Sequence, residues 1–235
     1  MTSVLVTIHQ PQFMPWLGYF DKMDQADLFV LLDTVQYKKN EWQNRNRLKS
    51  AQGPQWLTVP VRFHFPARID EVAVNDEAPW RHKHLQALRS NYGKARFWES
   101  EEDSLADLYG GREGLLRDVN GLTIDWLGSR LGIDTERRWA SDLPVTEEDP
   151  TQRLVEICRH FGASAYLSGA EGRNYLDISS FTAAGIDVIF QEYVPTAYPQ
   201  LFGDFESHLS ALDLVLNCGP ESPGILRAGR DTVME

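Results

Sequence analysis

The run from Lys38 to Lys49 carries the densest chemistry in this sequence. It sets five bases, Lys38, Lys39, Arg45, Arg47 and Lys49, around one acid, Glu41, in a chain whose formal net charge is −11. Trp42 stands among the amides Gln43, Asn44 and Asn46, which donate and accept hydrogen bonds at once. An arginine fork grips a phosphate or carboxylate through two parallel bonds, and an indole face offers a platform to a sugar or base. A run of charge is most often a solvated face. Interleaving with tryptophan and amides marks this one as a candidate binder of an anionic small molecule, such as a nucleotide or nucleotide-sugar.

Three further positions follow candidate strands, where ligands of open α/β sheets bind. His9 closes an apolar run and precedes a turn, where an imidazole could contact a phosphate beside a helix N-terminus; the plain alternative is a ring bonded to a loop carbonyl. Asp33 closes a second apolar run and could hold a ribose hydroxyl or a metal-bound phosphate, or merely cap its turn. Between Gly169 and Asp177 the glycines allow close backbone approach and Arg173 supplies charge. The catalytic candidates are therefore His9 and Asp33. The candidate ligand contacts are Gln10 and Trp16 in the first turn, then Gln36, Tyr37, Lys38, Trp42, Asn44, Arg45, Asn46 and Arg47, and finally Ser168 and Arg173. This assignment requires the amide-and-arginine run to fold over the tip of the opening strand and make one electropositive pocket with His9.

Other chemistries find no support. Neither GxGxxG nor GxxxxGK[ST] occurs, no Ser/His/Asp or Cys/His set assembles from spacing, and no carboxylate pair stands out among 34 acids. Cys158 and Cys218 lie far apart, outside CxxC spacing, and read as small buried hydrophobes, which suits a reducing cytoplasm.

The elements that must position these residues follow from periodicity. Val4 to Ile8 is a continuous apolar strand, His9 to Trp16 is a proline-bearing loop, and Leu17 to Gln25 is a short helix. Asp27 to Asp33 is a second strand, so the opening reads as a parallel βαβ unit. Trp56 to Val61 is a third strand candidate and Arg68 to Val74 a weaker fourth. Helices are predicted over Trp80–Tyr92 and Leu115–Leu131, with the acids Glu99 to Asp103 between them as a solvated loop or a helix N-terminal turn. An acidic linker spans about 142–150. Beyond it, Thr151 caps a helix running to Phe161, Ala165–Ser168 is a strand, Ile178–Ala184 a helix, Ile186–Tyr193 a strand and Leu209–Leu216 a last helix. The fold class is thus α/β, one domain over 1–235 with an open, mostly parallel sheet of Rossmann-like or nucleotidyltransferase-like type and a helical insertion at about 79–133.

With 235 residues and 42% hydrophobic content the chain can bury a substantial core. Its acidity argues against nucleic acid as partner. The opening apolar stretch is too short for a signal peptide or a membrane span, so the expected location is the cytoplasm. Composition leaves the oligomeric state open.

Specific motifs carry a resemblance over essentially the whole chain. Ile8-His9-Gln10-Pro11-Gln12-Phe13-Met14-Pro15-Trp16, Trp42-Gln43-Asn44-Arg45-Asn46-Arg47, Trp56-Leu57-Thr58-Val59-Pro60-Val61, Tyr166-Leu167-Ser168-Gly169 and Asn217-Cys218-Gly219-Pro220-Glu221-Ser222 resemble the WbqC-like proteins. Lys94-Ala95-Arg96-Phe97-Trp98 departs from the Lys-Ala-Pro-Tyr-Phe usual there, which affects local loop shape. The family takes its name from O-antigen gene clusters, and some members are labelled glycine (aminoacyl) transferases acting on amino-sugars. The resemblance therefore implies a bacterial transferase or amide-forming ligase in polysaccharide biosynthesis. If the acid is activated by the protein itself, ATP and a divalent ion such as Mg are implied as cofactors. His9 after the first strand also distantly resembles adenylate-forming nucleotidyltransferases, but Gln12 stands where their second histidine would be. The alternatives are a non-catalytic nucleotide-sugar or glycan binding module, suited by seven tryptophans, and a glycosyltransferase, which lacks an Asp-x-Asp motif here.

Overall fold

A computed structural model describes residues 3–231. Uninterrupted aliphatic and β-branched residues favour an extended chain covered on both faces, and they form β1 (Leu5–His9). After the proline-bearing turn come α1 (Leu17–Asp24) and β2 (Leu28–Leu31), the latter buried throughout. The two strands pair in parallel from Val6↔Leu28 to His9↔Leu31, as the βαβ reading requires.

The next segment leaves the main sheet. β3 (Arg45–Leu48) and β4 (Gln55–Thr58) form an antiparallel hairpin, and β5 (Val61–Arg62) with β6 (Ala73–Val74) a second small pair. The expected strand Trp56–Val61 is therefore divided between two elements at Pro60, which has no N–H for a ladder. The expected strand Arg68–Val74 is instead a 3-10 turn over Ile69–Glu71 followed by two extended residues. The Glu71 carboxylate accepts from the Arg68 backbone N–H at 2.8 Å, and this local bond stabilises the turn.

Three consecutive helices follow, α2 (Trp80–Tyr92), α3 (Trp98–Gly110) and α4 (Leu116–Arg130). The acids Glu99 to Asp103 lie in the opening turns of α3, where they complement the positive end of the helix. β7 (Glu136–Trp139) was not legible as a strand, because it is an edge strand carrying charge at three of four positions. The acidic stretch 142–150 tucks Leu143 and Val145 against the core beneath β1 and β2. In α5 (Pro150–His160) the cap is Asp149 rather than Thr151: its carboxylate accepts from the N–H groups of Thr151 and Gln152. β8 (Ala165–Ser168), α6 (Ile178–Ala183) and β9 (Asp187–Phe190) complete the sheet. The closing apolar helix begins later than expected, as α7 (Leu212–Cys218), and α8 (Ser222–Asp231) follows it.

The central sheet is wholly parallel, in the order β7-β2-β1-β8-β9. One face carries Phe29 and Leu31 against α1, α4 and the loop residue Phe13; the other carries Val6, Ile8, Leu28 and Val30 against α5 and α6. The chain winds outward from β1 in one direction and from β8 in the other. Between them lies the topological switch point, where an α/β sheet of this order opens a crevice. β1 meets β8 only from Leu5 to Thr7 but stays with β2 as far as His9, so β1 and β8 part at this end. Cys158 and Cys218 are buried and free.

Candidate functional site

Carbonyls along β1 alternate in direction. Val4 accepts from Ala165 on the β8 side and His9 accepts from Leu32 on the β2 side, so the Ile8 carbonyl points toward β8 beyond the last paired residue. There it accepts from the Lys22 ammonium nitrogen at 3.1 Å. Lys22 comes from α1, is 3% exposed, and forms no ion pair among the described residues. Burial without a compensating charge holds it down to about pH 7, far below an ordinary lysine.

His9 lies beside it. Its Nδ1 is 3.0 Å from the Gln10 carbonyl, and its ring meets the edge of Tyr19 at 4.8 Å. A carbonyl can only accept, so Nδ1 carries the proton and Nε2 is left as an acceptor. Burial, reinforced by the nearby Lys22 charge, lowers its pKa to about 3. His9 is therefore neutral across physiological pH. It suits an N–H or O–H donor, whereas the phosphate contact expected from the sequence would need a proton on Nε2. The Tyr19 hydroxyl is buried without a hydrogen-bond partner on the same helix.

The amide-and-arginine run does fold onto the turn after β1, but through its amides. Gln43 donates to the Gln10 side chain at 2.7 Å and accepts from the Lys38 backbone at 2.9 Å. Asn46 donates to the Met14 carbonyl at 2.7 Å, the Phe13 N–H donates to the Trp42 carbonyl, and Asn44 donates to Val59. Asn120 of α4 ties Pro11 to Gln43. The hairpin alternation sends Asn46 and Leu48 inward and Arg45 and Arg47 outward. The Arg45 guanidinium lies 4.1 Å from the Trp56 ring and Arg47 5.7 Å from Trp42, with the two indoles 5.4 Å apart. Arg45 also donates to Asn40 and Arg47 to the His208 carbonyl, while the Nε of each arginine has no partner. The result is a half-exposed aromatic and cationic surface adjoining the His9 turn, in place of one pocket lined by guanidiniums and imidazole. Trp56 belongs to it and was not anticipated; its signal was the register that sets it opposite Arg47, readable only once β3 is known to be a strand.

The remaining candidates are placed as follows. Trp16 stacks on His208 at 4.9 Å. Gln36 is exposed and bridges to Arg68, and Lys38 is exposed. Tyr37 is buried against Phe63; its hydroxyl is unpartnered and burial pushes its pKa up to about 12. Asp33 is fully enclosed, accepting from Arg117 at 2.6 Å and from the Ser141 hydroxyl and N–H at 2.8 and 3.0 Å. With both oxygens engaged, it ties β2 to α4 and to the turn after β7, and has no free side for a ribose or a metal-bound phosphate. Ser168 is buried and donates to the Gly169 carbonyl, while a Cβ at Gly172 would overlap its hydroxyl. Arg173 pairs with Glu192 at 3.0 Å and covers Phe190. Among the described residues no group of three or more His, Cys, Asp or Glu is placed to hold a metal ion. A cleft of about 380 Å³ between α2 and α3, lined by Trp80, Arg81, His82 and Arg112, includes none of the predicted residues.

The sequence profile of the WbqC-like protein family matches residues 10–225. The chain belongs to that family. This WbqC-like protein is also similar to a Mycobacterium tuberculosis protein described as "Uncharacterized protein Rv1507c", with 37% identity over 228 residues, covering 94% of this chain and 97% of that one. No solved structure matches it. No helix among the described residues is long and apolar enough to cross a membrane. The matched region takes in Lys22 of α1, the hairpin and β8, while β1 with His9 lies just before it.

Proposed function

We propose that this WbqC-like protein is a transferase or amide-forming ligase acting on an amino-sugar or nucleotide-sugar in surface-glycan biosynthesis, within the cytoplasm. The observation that carries the reading is the Gln43–Gln10 hydrogen bond, which couples the aromatic and cationic hairpin to the switch-point turn bearing His9. A nucleotide-sugar offers a matching group to each region. Its diphosphate suits Arg45 and Arg47, and its base or sugar ring suits the exposed faces of Trp42 and Trp56. The acceptor nitrogen or hydroxyl donates to His9 Nε2. Amide formation in water needs an activated acyl donor; ATP with Mg supplies that activation where the protein performs it itself.

Titration calorimetry with UDP-glucosamine, UDP-N-acetylglucosamine and ATP tests the reading. Binding of a nucleotide-sugar is expected, with Trp42→Ala and Arg45→Ala each weakening it by about tenfold, roughly 1.4 kcal/mol. Absence of binding to all three ligands removes it. The exposure of Trp42 and Trp56, 37% and 44%, also favours a second reading, a non-catalytic glycan or nucleotide-sugar binding module. That reading prevails if the ligand binds and no acyl transfer to its amine is detected with any thioester or acyl-phosphate donor.

A further inference from the structure

Two lysines in this chain are buried, and they differ in their surroundings. Lys49 is satisfied by three acceptors, the Gln200 side chain and the carbonyls of Gly203 and Asp204. Lys22 is bonded to one, the Ile8 carbonyl at the point where β1 and β8 part. An ammonium has three donors, so the charged form leaves two without a protein acceptor. The neutral form instead presents a lone pair. Its neighbours are uncharged: His9 has its only proton on Nδ1, and the Tyr19 hydroxyl is unpartnered. The point where β1 and β8 part thus holds a basic amine with an acceptor nitrogen beside it and, among the described residues, no acid paired to either.

We propose that Lys22 is the proton acceptor of the crevice, receiving a proton from the ammonium group of an amino-sugar acceptor while His9 Nε2 orients the same nitrogen. This rests on the amide-forming reading above. The balance is simple. The Lys22 amine takes one proton, leaving the acceptor as a free amine; its lone pair forms a C–N bond to the carbonyl of an acyl phosphate or thioester. The bond from that carbon to the phosphate or thiolate breaks with its electron pair, the nitrogen's surplus proton passes to the leaving group, and Lys22 returns its own to solvent. A base of this kind works best when its pKa lies near the working pH, and burial brings Lys22 to about 7.

The test reads Lys22 on the whole, unmodified chain. Trace acetylation by acetic anhydride is followed over pH, and the Lys22 peptide is quantified by mass spectrometry. Its rate is expected to fall about tenfold for each pH unit below 7 and to level off above it, whereas surface lysines keep gaining rate toward pH ~10. Correlation spectra of the labelled lysine side chains, assigned with Lys22→Met, are expected to show the same midpoint and to shift with UDP-glucosamine but not with UDP-N-acetylglucosamine, whose amine is blocked. A midpoint near pH 10, no acetylation of Lys22 at any pH, or a Lys22 signal indifferent to bound UDP-glucosamine overturns the assignment. Failure of every nucleotide-sugar to bind in calorimetry removes the amide-forming reading separately, since the acetylation profile needs no ligand.

Discussion

An amine whose ionisation is lowered by burial has a thermodynamic signature apart from any chemistry it performs. Lys22 ionises near 10.5 in the unfolded chain and near 7 in the fold. Between those values the unfolded state binds more protons, so folding stability rises with pH across the window, and below about pH 7 the full penalty is present. Lys22→Met removes the penalty and the slope together, at the cost of an unpaired Ile8 carbonyl. The variant is expected to be about 1–3 kcal/mol more stable than the parent at pH 7, with the difference fading toward pH 10, as read from urea midpoints. A variant less stable at both pH values would show that the amine is a structural prop. A stabilising replacement is the pattern of a residue kept for function. Asp33 shows the opposite character: a carboxylate at a strand end that looks chemical in sequence and proves to be a three-way clamp. Nothing in its neighbours along the chain foretold Arg117 or Ser141, because both arrive through tertiary contact.

At the level of elements, the strongly periodic segments were legible. β1, α2, α4 and β8 lie within a residue or so of their expected bounds, since each shows an apolar pattern that only one secondary structure satisfies. β7 and β3 were not, because edge and hairpin strands are held by backbone pairing and carry polar side chains outward. The start of α5 tests a finer point. Asp149 accepts two N–H bonds while Pro150 fills the first helical position, so Asp149→Ala is expected to lower stability by about 1 kcal/mol and Thr151→Ala to leave it within a few tenths. Thermal denaturation of the pair decides it, and equal effects would return the cap to Thr151.

On the scale of the whole molecule, the irregular segment between β9 and α7 is fastened by a buried carboxylate, Asp213, together with the Lys49 ammonium. Asp213 accepts from Tyr92 at 2.9 Å, Tyr198 at 2.9 Å and Gln200 at 2.7 Å, joining α2, the long loop and α7. The same loop supplies His208, which stacks on Trp16 and accepts from Arg47, so the fastening reaches the candidate ligand surface. Asp213→Asn replaces an acceptor by a donor facing donors. It is expected to cost about 2–4 kcal/mol and to speed proteolytic cleavage within 198–211 at temperatures where the fold persists. Cleavage no faster than in the parent would show that the Lys49 bonds and apolar packing hold the loop without Asp213.

What the chain determined by itself was everything carried by short-range pattern: the α/β class, the opening βαβ unit, the helical middle, and a cationic, aromatic segment unlike the acidic remainder. These need only the local period of apolar residues and the charge balance. The tertiary structure decided which of the marked residues meet. The hairpin register turned the amides inward to grip the Gln10 turn and the guanidiniums outward over tryptophans, and the parting of β1 from β8 left a lysine of α1 at the crevice with a single acceptor. Register and strand divergence depend on partners distant in sequence, and a lysine's charge state depends on how much water those partners exclude.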